Sequence, residues 1–234
     1  MWDPSDFTLV DQDVPETVRL FPLPNLVLFP GVIQPLHVFE PRYCDLLDDA
    51  MQGDRLIALA TLSPGWENDY EGQPPLYPMA CLGRVLLAQQ VEGRRSNILL
   101  VGLRRVRLLE EIPPRQSFRE ARAEVCHDSL EPQAAGDLAS LRAALRKAFF
   151  REIPAAAEVE ESLEPLLGPD VPLGTLTDVI SYSLDLPTEE KEHLLAELDV
   201  CRRAETLLAL LDHPGQRAAP RTWPSGFPPP FSDN

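Results

Sequence analysis

Apolar residues follow two regimes along this chain. Up to about residue 127 they come in short runs punctuated by turn-forming residues, the pattern of many short strands; beyond it they recur every three or four residues, the spacing of buried helical faces. The first ordered element is predicted to begin near Val18. In "VRLFPLPNLVLFPGVIQPLHVFE", prolines at 22, 24, 30, 35 and 41 each remove a backbone donor, so strands here must lie at an edge, carry bulges or break. "FPG" at 29–31 reads as a turn before an apolar segment from Val32 to Phe39.

"EPRYCDLLDDAMQG" reads as a helix with Pro41 in its first turn and Gly53 at its end; Tyr43, Leu46, Leu47, Ala50 and Met51 form the buried stripe. "RLIALATL" at 55–62 reads as a strand and residues 63–78 as a long aromatic loop. "CLGRVLLAQQV", "SNILLVGL" and "RRVRLLEEI" read as three further strands, the first two joined in a hairpin at "EGRRS", and "FREARAEVC" at 118–126 as another. The expected result is a small barrel with one packed helix.

In the second half, Leu138, Leu141, Leu145, Ala148 and Phe149 share one helical face, and "ESLEPLL" suggests a short broken helix. Pro172 opens a helix bearing Leu173, Leu176, Ile180 and Leu184. Pro187 with Thr188 opens what reads as the longest, bearing Leu194, Leu198, Cys201, Leu208 and Leu211. The fold class is therefore α+β: an acidic, loosely held leader over 1–16, a barrel over 17–127, a helical bundle over 128–212 and a proline-rich flexible tail over 213–234.

Composition narrows the function classes. At 234 residues and 44% hydrophobic the chain can bury a core, and a net charge of −16 argues against broad affinity for nucleic acid or an anionic membrane. Cys44, Cys81, Cys126 and Cys201 form no CxxC pair, no run reaches membrane-spanning length, and the start lacks a signal-peptide pattern; a cytoplasmic protein without metal or cofactor is expected. There is no phosphate-binding glycine loop, HExxH or GxSxG. His37 with Cys44, and "CHDS" at 126–129, are too poorly arranged along a strand or loop to form a triad.

Two surfaces remain as candidates. Arg84–Arg122 holds nine arginines against four acidic residues, and Arg84, Arg94, Arg95, Arg104 and Arg107 could make a basic face for RNA or an acidic peptide; the ordinary alternative is solvated charge on outward strand positions. Trp66, Tyr70 and Tyr77 of the 63–78 loop, with Phe29, could bind peptide, or could simply cover the barrel mouth.

"FPLPNLVLFPGVIQPLHVFEPRY", with "GRV", "ILLVGLRRVRLLEE" and "FREARAEV", resembles the N-terminal substrate-binding domain of Lon-type proteases, its "FEPRY" ending most like small free-standing bacterial relatives. "LGTLTDVISYSLDLPTEEKEHLLAELDVCRRAETLLALL" is similar to that family's helical segment through Leu176, Asp178, Lys191, Leu195, Leu198, Asp199, Val200 and Arg203. The resemblance implies a PUA-like barrel followed by helices, and capture of unfolded or tagged protein without catalysis, since the ATPase and Ser-Lys protease domains of full-length members have no counterpart here. The implied partner is a polypeptide, delivered to a protease or chaperone system, and a proline-interrupted strand could take it by strand addition. PUA-like barrels elsewhere bind RNA, the alternative ligand. Gln34 and Cys44 depart from the family's usual residues.

Overall fold

The computed structural model describes residues 8–70, 72–130, 138–154 and 160–212. Its strands are β1 (Thr17–Leu23), β2 (Ile33–Val38), β3 (Leu56–Leu62), β4 (Leu76–Gln90), β5 (Ser96–Glu111) and β6 (Arg119–Cys126). Its helices are α1 (Pro41–Gln52), α2 (Leu138–Glu152), α3 (Glu160–Leu167), α4 (Leu173–Ser183), α5 (Thr188–Ala196) and α6 (Val200–Asp212). The protein is a mixed α+β fold.

The strands run in the order β2-β5-β4-β3-β1-β6, and β6 also pairs with the far half of β5, closing a five-stranded ring that leaves β2 outside it. Closure requires curvature, supplied by register shifts between Leu82 and Gly83, Val85 and Leu87, and Leu108 and Glu110. The two expected strands "SNILLVGL" and "RRVRLLEEI" are one continuous strand, β5, which bends instead of breaking. β4 begins at Leu76, so Tyr77 belongs to a strand and not to the preceding loop.

Proline placement matches its chemistry. Pro35 lies in β2, which among the described residues pairs only with β5. Pro22 lies beyond the last β1–β6 pair, and its carbonyl accepts the Tyr43 hydroxyl at 2.9 Å. The Phe29–Gly31 turn closes onto β5: Gly31, at φ +79°, donates to the Gly102 carbonyl at 2.8 Å, and Gly102 donates to Val32 O at 2.8 Å. A methyl group on Gly102 would overlap the Phe29 carbonyl, so a glycine is needed at that crossing.

Two cores result. A smaller one, built of leucine, alanine and valine, is enclosed by the strands; a larger one joins α1 and the 27–32 segment to α2, α4, α5 and α6. Leu9, only 3% exposed, fills the smaller core, the Leu9 carbonyl is held by Arg104 Nη2 at 2.6 Å, and Ala123 donates to Glu16 O at 3.0 Å. Over residues 8–16 the leader is thus packed against the barrel, because an apolar Leu9 inside an acidic segment has a core to enter. Residues 1–7 and the proline-rich 213–234 lie outside the described residues.

The helix expected from Pro187 onward is two. Asp199 caps α6 by accepting the Arg202 N–H at 2.9 Å, Glu197 Oε1 accepts the Asp199 N–H at 2.9 Å, and Ser129 pairs with the interruption through Leu198 O and the Val200 N–H. An inserted strand-like bridge and a cap outweigh continuous helical periodicity.

Candidate functional site

β2, the near half of β5 and the far half of β4 extend beyond the barrel as a three-stranded sheet. Its even-numbered β2 positions, with Ile98, Leu100 and Val85, face α1 and the helices in the larger core. Among the described residues nothing covers the other face. Register aligns Phe39 beside Arg95 and Val91, then His37–Asn97–Gln89, then Pro35–Leu99–Leu87, with Ile33 opposite Val101. Leu87 is 49% exposed, Ile33 40% and Val91 38%, so apolar side chains occupy a surface where alternation would place polar ones.

The free edge of β2 beside this face is chemically closed at its centre. Gly102 donates to Val32, so alternation directs Gln34, Leu36 and Val38 main-chain groups at β5 and those of Ile33, Pro35 and His37 outward. Pro35 has no N–H, and its carbonyl already accepts the Gln34 amide at 2.7 Å. Gln34 is held in turn by the Tyr182 hydroxyl at 2.7 Å. The expected strand addition therefore lacks a donor and an available acceptor in mid-strand, which is how natural edges resist pairing. Gln34, an unusual residue on sequence grounds, is the plug.

A second feature lies at the start of α1. Arg42 stacks between the rings of Tyr43 and Tyr70, 4.7 and 5.0 Å from their centroids, and pairs with Glu40 at 2.9 Å; the Tyr70 hydroxyl donates to Glu40 at 2.8 Å. Burial pushes the Tyr43 and Tyr70 hydroxyl pKa values up, so both stay protonated donors. The adjoining cleft, about 140 Å³, is lined by Pro22, Arg42, Tyr43, Ile112, Phe118 and Arg119, among others. Arg119 is committed to Glu111 and to Pro74 O, so the cleft's cations are already neutralised.

The third feature is internal. Arg105, 3% exposed, forms a fork with Asp178 at 2.6 and 3.0 Å and donates to Leu195 O at 2.9 Å; Arg203, fully buried, grips Asp128 at 2.6 and 2.9 Å. Two arginines and two aspartates from β5, α4, α6 and the 127–130 linker thus bolt the helices to the barrel.

Residues 17–213 match the family described as the ATP-dependent protease La (LON) substrate-binding domain. The chain belongs to that family. It is 28% identical over 200 residues to Lon protease of Desulfosudis oleivorans and 29% over 208 residues to Lon protease 2 of Myxococcus xanthus, in each case covering 86% of this chain and 24% of the relative. The chain thus spans about a quarter of the length of these relatives, and the match is to their substrate-binding part, without the ATPase or protease domain. Among solved structures, the Lon N-terminal domain protein from Xanthomonas campestris superimposes with a TM-score of 0.59 at 23% identity, covering 82% of this chain and 97% of that one. The N-terminal domain of Mycobacterium avium complex Lon protease gives 0.63 at 18% identity, covering 84% and 98%. Both likenesses establish the fold.

In this Lon substrate-binding domain the sequence candidates separate. Phe29 has no exposed area and Trp66 is 3% exposed, its ring edge-on to Tyr70 at 5.8 Å; neither offers a contact surface, since the FPG turn drives Phe29 into the core and the loop folds back over Trp66. Tyr70 and Tyr77 are half-buried, Tyr70 within the Arg42 stack. The candidate arginines reach different partners among the described residues. Arg84 donates to Thr8 O at 3.0 Å, Arg104 to Leu9 O, Arg94 bridges Asp45 and Asp48 at 2.7 Å each, and Arg107 pairs with Glu124 at 3.2 Å; Arg95 sits on the apolar face near the hairpin tip.

The nominally reactive groups also diverge. Cys44 donates to Arg94 O at 3.2 Å and burial raises its thiol, while His37 bonds Asn97 at 2.7 Å. In "CHDS", burial raises the Cys126 thiol, His127 meets Asp11, Asp128 meets Arg203 and Ser129 bridges to Asp199. Among the described residues no helix is long and apolar enough to cross a membrane.

The sequence reading missed the Leu87–Leu99–Pro35 row. Its signal was present: "ILLV" at 98–101 is apolar at successive positions, which a half-exposed strand does not need.

Proposed function

We propose that the chain is a non-catalytic recognition module that captures polypeptide on the open face of the β2–β5–β4 sheet, working in the cytoplasm, where its four cysteines remain reduced, beside a protease or chaperone system. The observation that carries this is the partly exposed row Leu87–Leu99–Pro35 with Ile33, an aliphatic sheet face flanked by an edge whose centre, at Pro35, offers a strand neither a donor nor an available acceptor. Recognition is by side-chain burial. That suits exposed aliphatic segments of unfolded protein, because burial is non-directional and tolerates varied sequence. Family membership supports a substrate-recognition role.

The test is fluorescence anisotropy with labelled, reduced and carboxymethylated α-lactalbumin, a permanently unfolded probe. Leu87→Asp with Ile33→Asp is expected to weaken binding about tenfold or more without shifting the thermal midpoint, and added salt is expected to have little effect. Unchanged affinity in the double variant would remove this face as the site. Capture of RNA with steep salt dependence would replace the reading with the nucleic-acid one.

A further inference from the structure

Two of the five arginines expected to form a face for an acidic peptide, Arg84 and Arg104, grip an acidic peptide that belongs to the chain itself. Residues 8–14, "TLVDQDV", cross the barrel rim ahead of β1. Arg84 Nη1 donates to the Thr8 carbonyl at 3.0 Å and Arg104 Nη2 to the Leu9 carbonyl at 2.6 Å. The Leu9 side chain, 3% exposed, enters the smaller core with Val18, Val101 and Leu103, and Val14 packs against the same core. The Asp11 carboxylate lies 3.1 Å from His127 Nε2 and 3.7 Å from Arg104 Nε. Val10, between the apolar anchor and the acid, is 57% exposed.

These contacts are those of a recognition groove: a slot for one aliphatic side chain, guanidinium donors on backbone carbonyls, and cations for a carboxylate. Among the described residues, main-chain pairing with a strand starts only at Glu16, whose carbonyl accepts the Ala123 N–H at 3.0 Å; ahead of it, side chains do the holding. A segment held in this way is replaceable by another of the same chemistry. We infer that the Leu9 slot, with Arg84, Arg104 and His127, is a binding site for acidic, aliphatic segments of a partner polypeptide, kept closed by residues 8–14 as an internal mimic. The partner's segment has the spacing of Leu9, Asp11 and Val14: an aliphatic anchor, a carboxylate two residues on, and a second aliphatic residue three further. The site lies at the barrel rim, and it does not rest on capture by the sheet face.

The tether sets the response. A short tether holds its segment at an effective concentration of about 1 mM. A site of ~10 μM intrinsic affinity is then free about 1% of the time, and a partner binds it about a hundredfold more weakly than the vacant groove.

The test uses a fluorescein-labelled peptide of sequence TLVDQDVPE, read by anisotropy against the full chain. Leu9→Asp in the protein bars the internal mimic, because a carboxylate does not enter an apolar slot, and leaves the groove itself unaltered. The probe is expected to bind this variant at least about tenfold more tightly than the parent and to raise its thermal midpoint. Leu9→Ala gives the same comparison where the aspartate prevents folding. A probe carrying Leu9→Asp is expected not to bind. A probe carrying Asp11→Asn with Asp13→Asn is expected to bind several-fold more weakly, as is the parent probe when Arg104→Ala is added to the Leu9 variant. A folded Leu9 variant that fails to bind the probe would overturn the site. Equal binding of the uncharged probe would overturn the acidic requirement. Dimers of the parent that dissociate on Leu9→Asp would give the slot to residues 8–14 of a second copy and overturn the outside partner.

Discussion

Arg104 and Arg105 are adjacent on β5 and face opposite sides of it. Arg105 enters the interface with the helices, where Asp178, Asp128 and the Leu195 carbonyl surround it; Arg104 remains 37% exposed at the barrel rim, holding the Leu9 carbonyl and lying 3.7 Å from Asp11. One is a structural bolt and the other a clasp on a surface segment. The difference shows that a local excess of arginine is no measure of a basic face, because each guanidinium's role is set by the side of the strand it leaves.

The largest effect expected from breaking this contrast is at Arg105. Burial works against its charge, yet Asp178 more than compensates, so Arg105 holds its proton more tightly than an exposed arginine. Arg105→Met leaves Asp178 buried without its fork, with Arg203 Nε 3.4 Å away as its nearest remaining cation. The expected loss is about 3–5 kcal/mol, read as a lower urea midpoint at unchanged slope. Replacing Arg105 and Asp178 together by apolar residues is expected to recover much of it, since no charge is then stranded.

Why could the sequence not separate the two arginines? Counting alternate residues along β5 fails at the register shift between Leu82 and Gly83, which resets which side each position faces. The helical half was more legible: Leu145, Ala148, Phe149, Leu173, Leu176 and Ile180 were assigned to buried faces by spacing alone and are buried. Helical periodicity is local, whereas the α5–α6 interruption depends on Ser129, some seventy residues away, and Asp199 alone carried a capping signal. Phe29 and Trp66 were legible as important and illegible as buried, because an aromatic side chain serves a core and a contact surface equally well.

Glu192 sharpens the comparison from the other direction. It is a charge-bearing group as buried as Arg105, but its Oε1 has no hydrogen-bond partner among the described residues, and burial pushes the carboxyl up to about 7, the Thr61 contact opposing only in part. The folded state keeps a proton that the unfolded chain releases near the ordinary value of 4.5. Stability therefore falls as pH rises from about 4.5 to about 7 and is level above that. Glu192→Gln is expected to abolish this slope and to be more stable than the parent at pH 8 by on the order of 2 kcal/mol, measured by urea denaturation across pH. Parallel pH profiles for the two proteins would show that Glu192 is ionised in the fold.

Arg104 carries the smallest effect and the most local one. Arg104→Ala removes the donor to Leu9 O but leaves Leu9 its apolar pocket, so global stability is expected to drop by only about 1 kcal/mol. Hydrogen exchange should register the change where the global value does not: amides of residues 9–14 should lose protection while those of β3 and α4 keep theirs. Arg107→Ala is the control, because its pair with Glu124 is half-exposed on both sides and contributes about 0–1 kcal/mol. If Arg104→Ala behaved like Arg107→Ala in exchange as well as in stability, Leu9 alone would be holding the segment, and the arginine would be a surface charge like Arg107, three residues on.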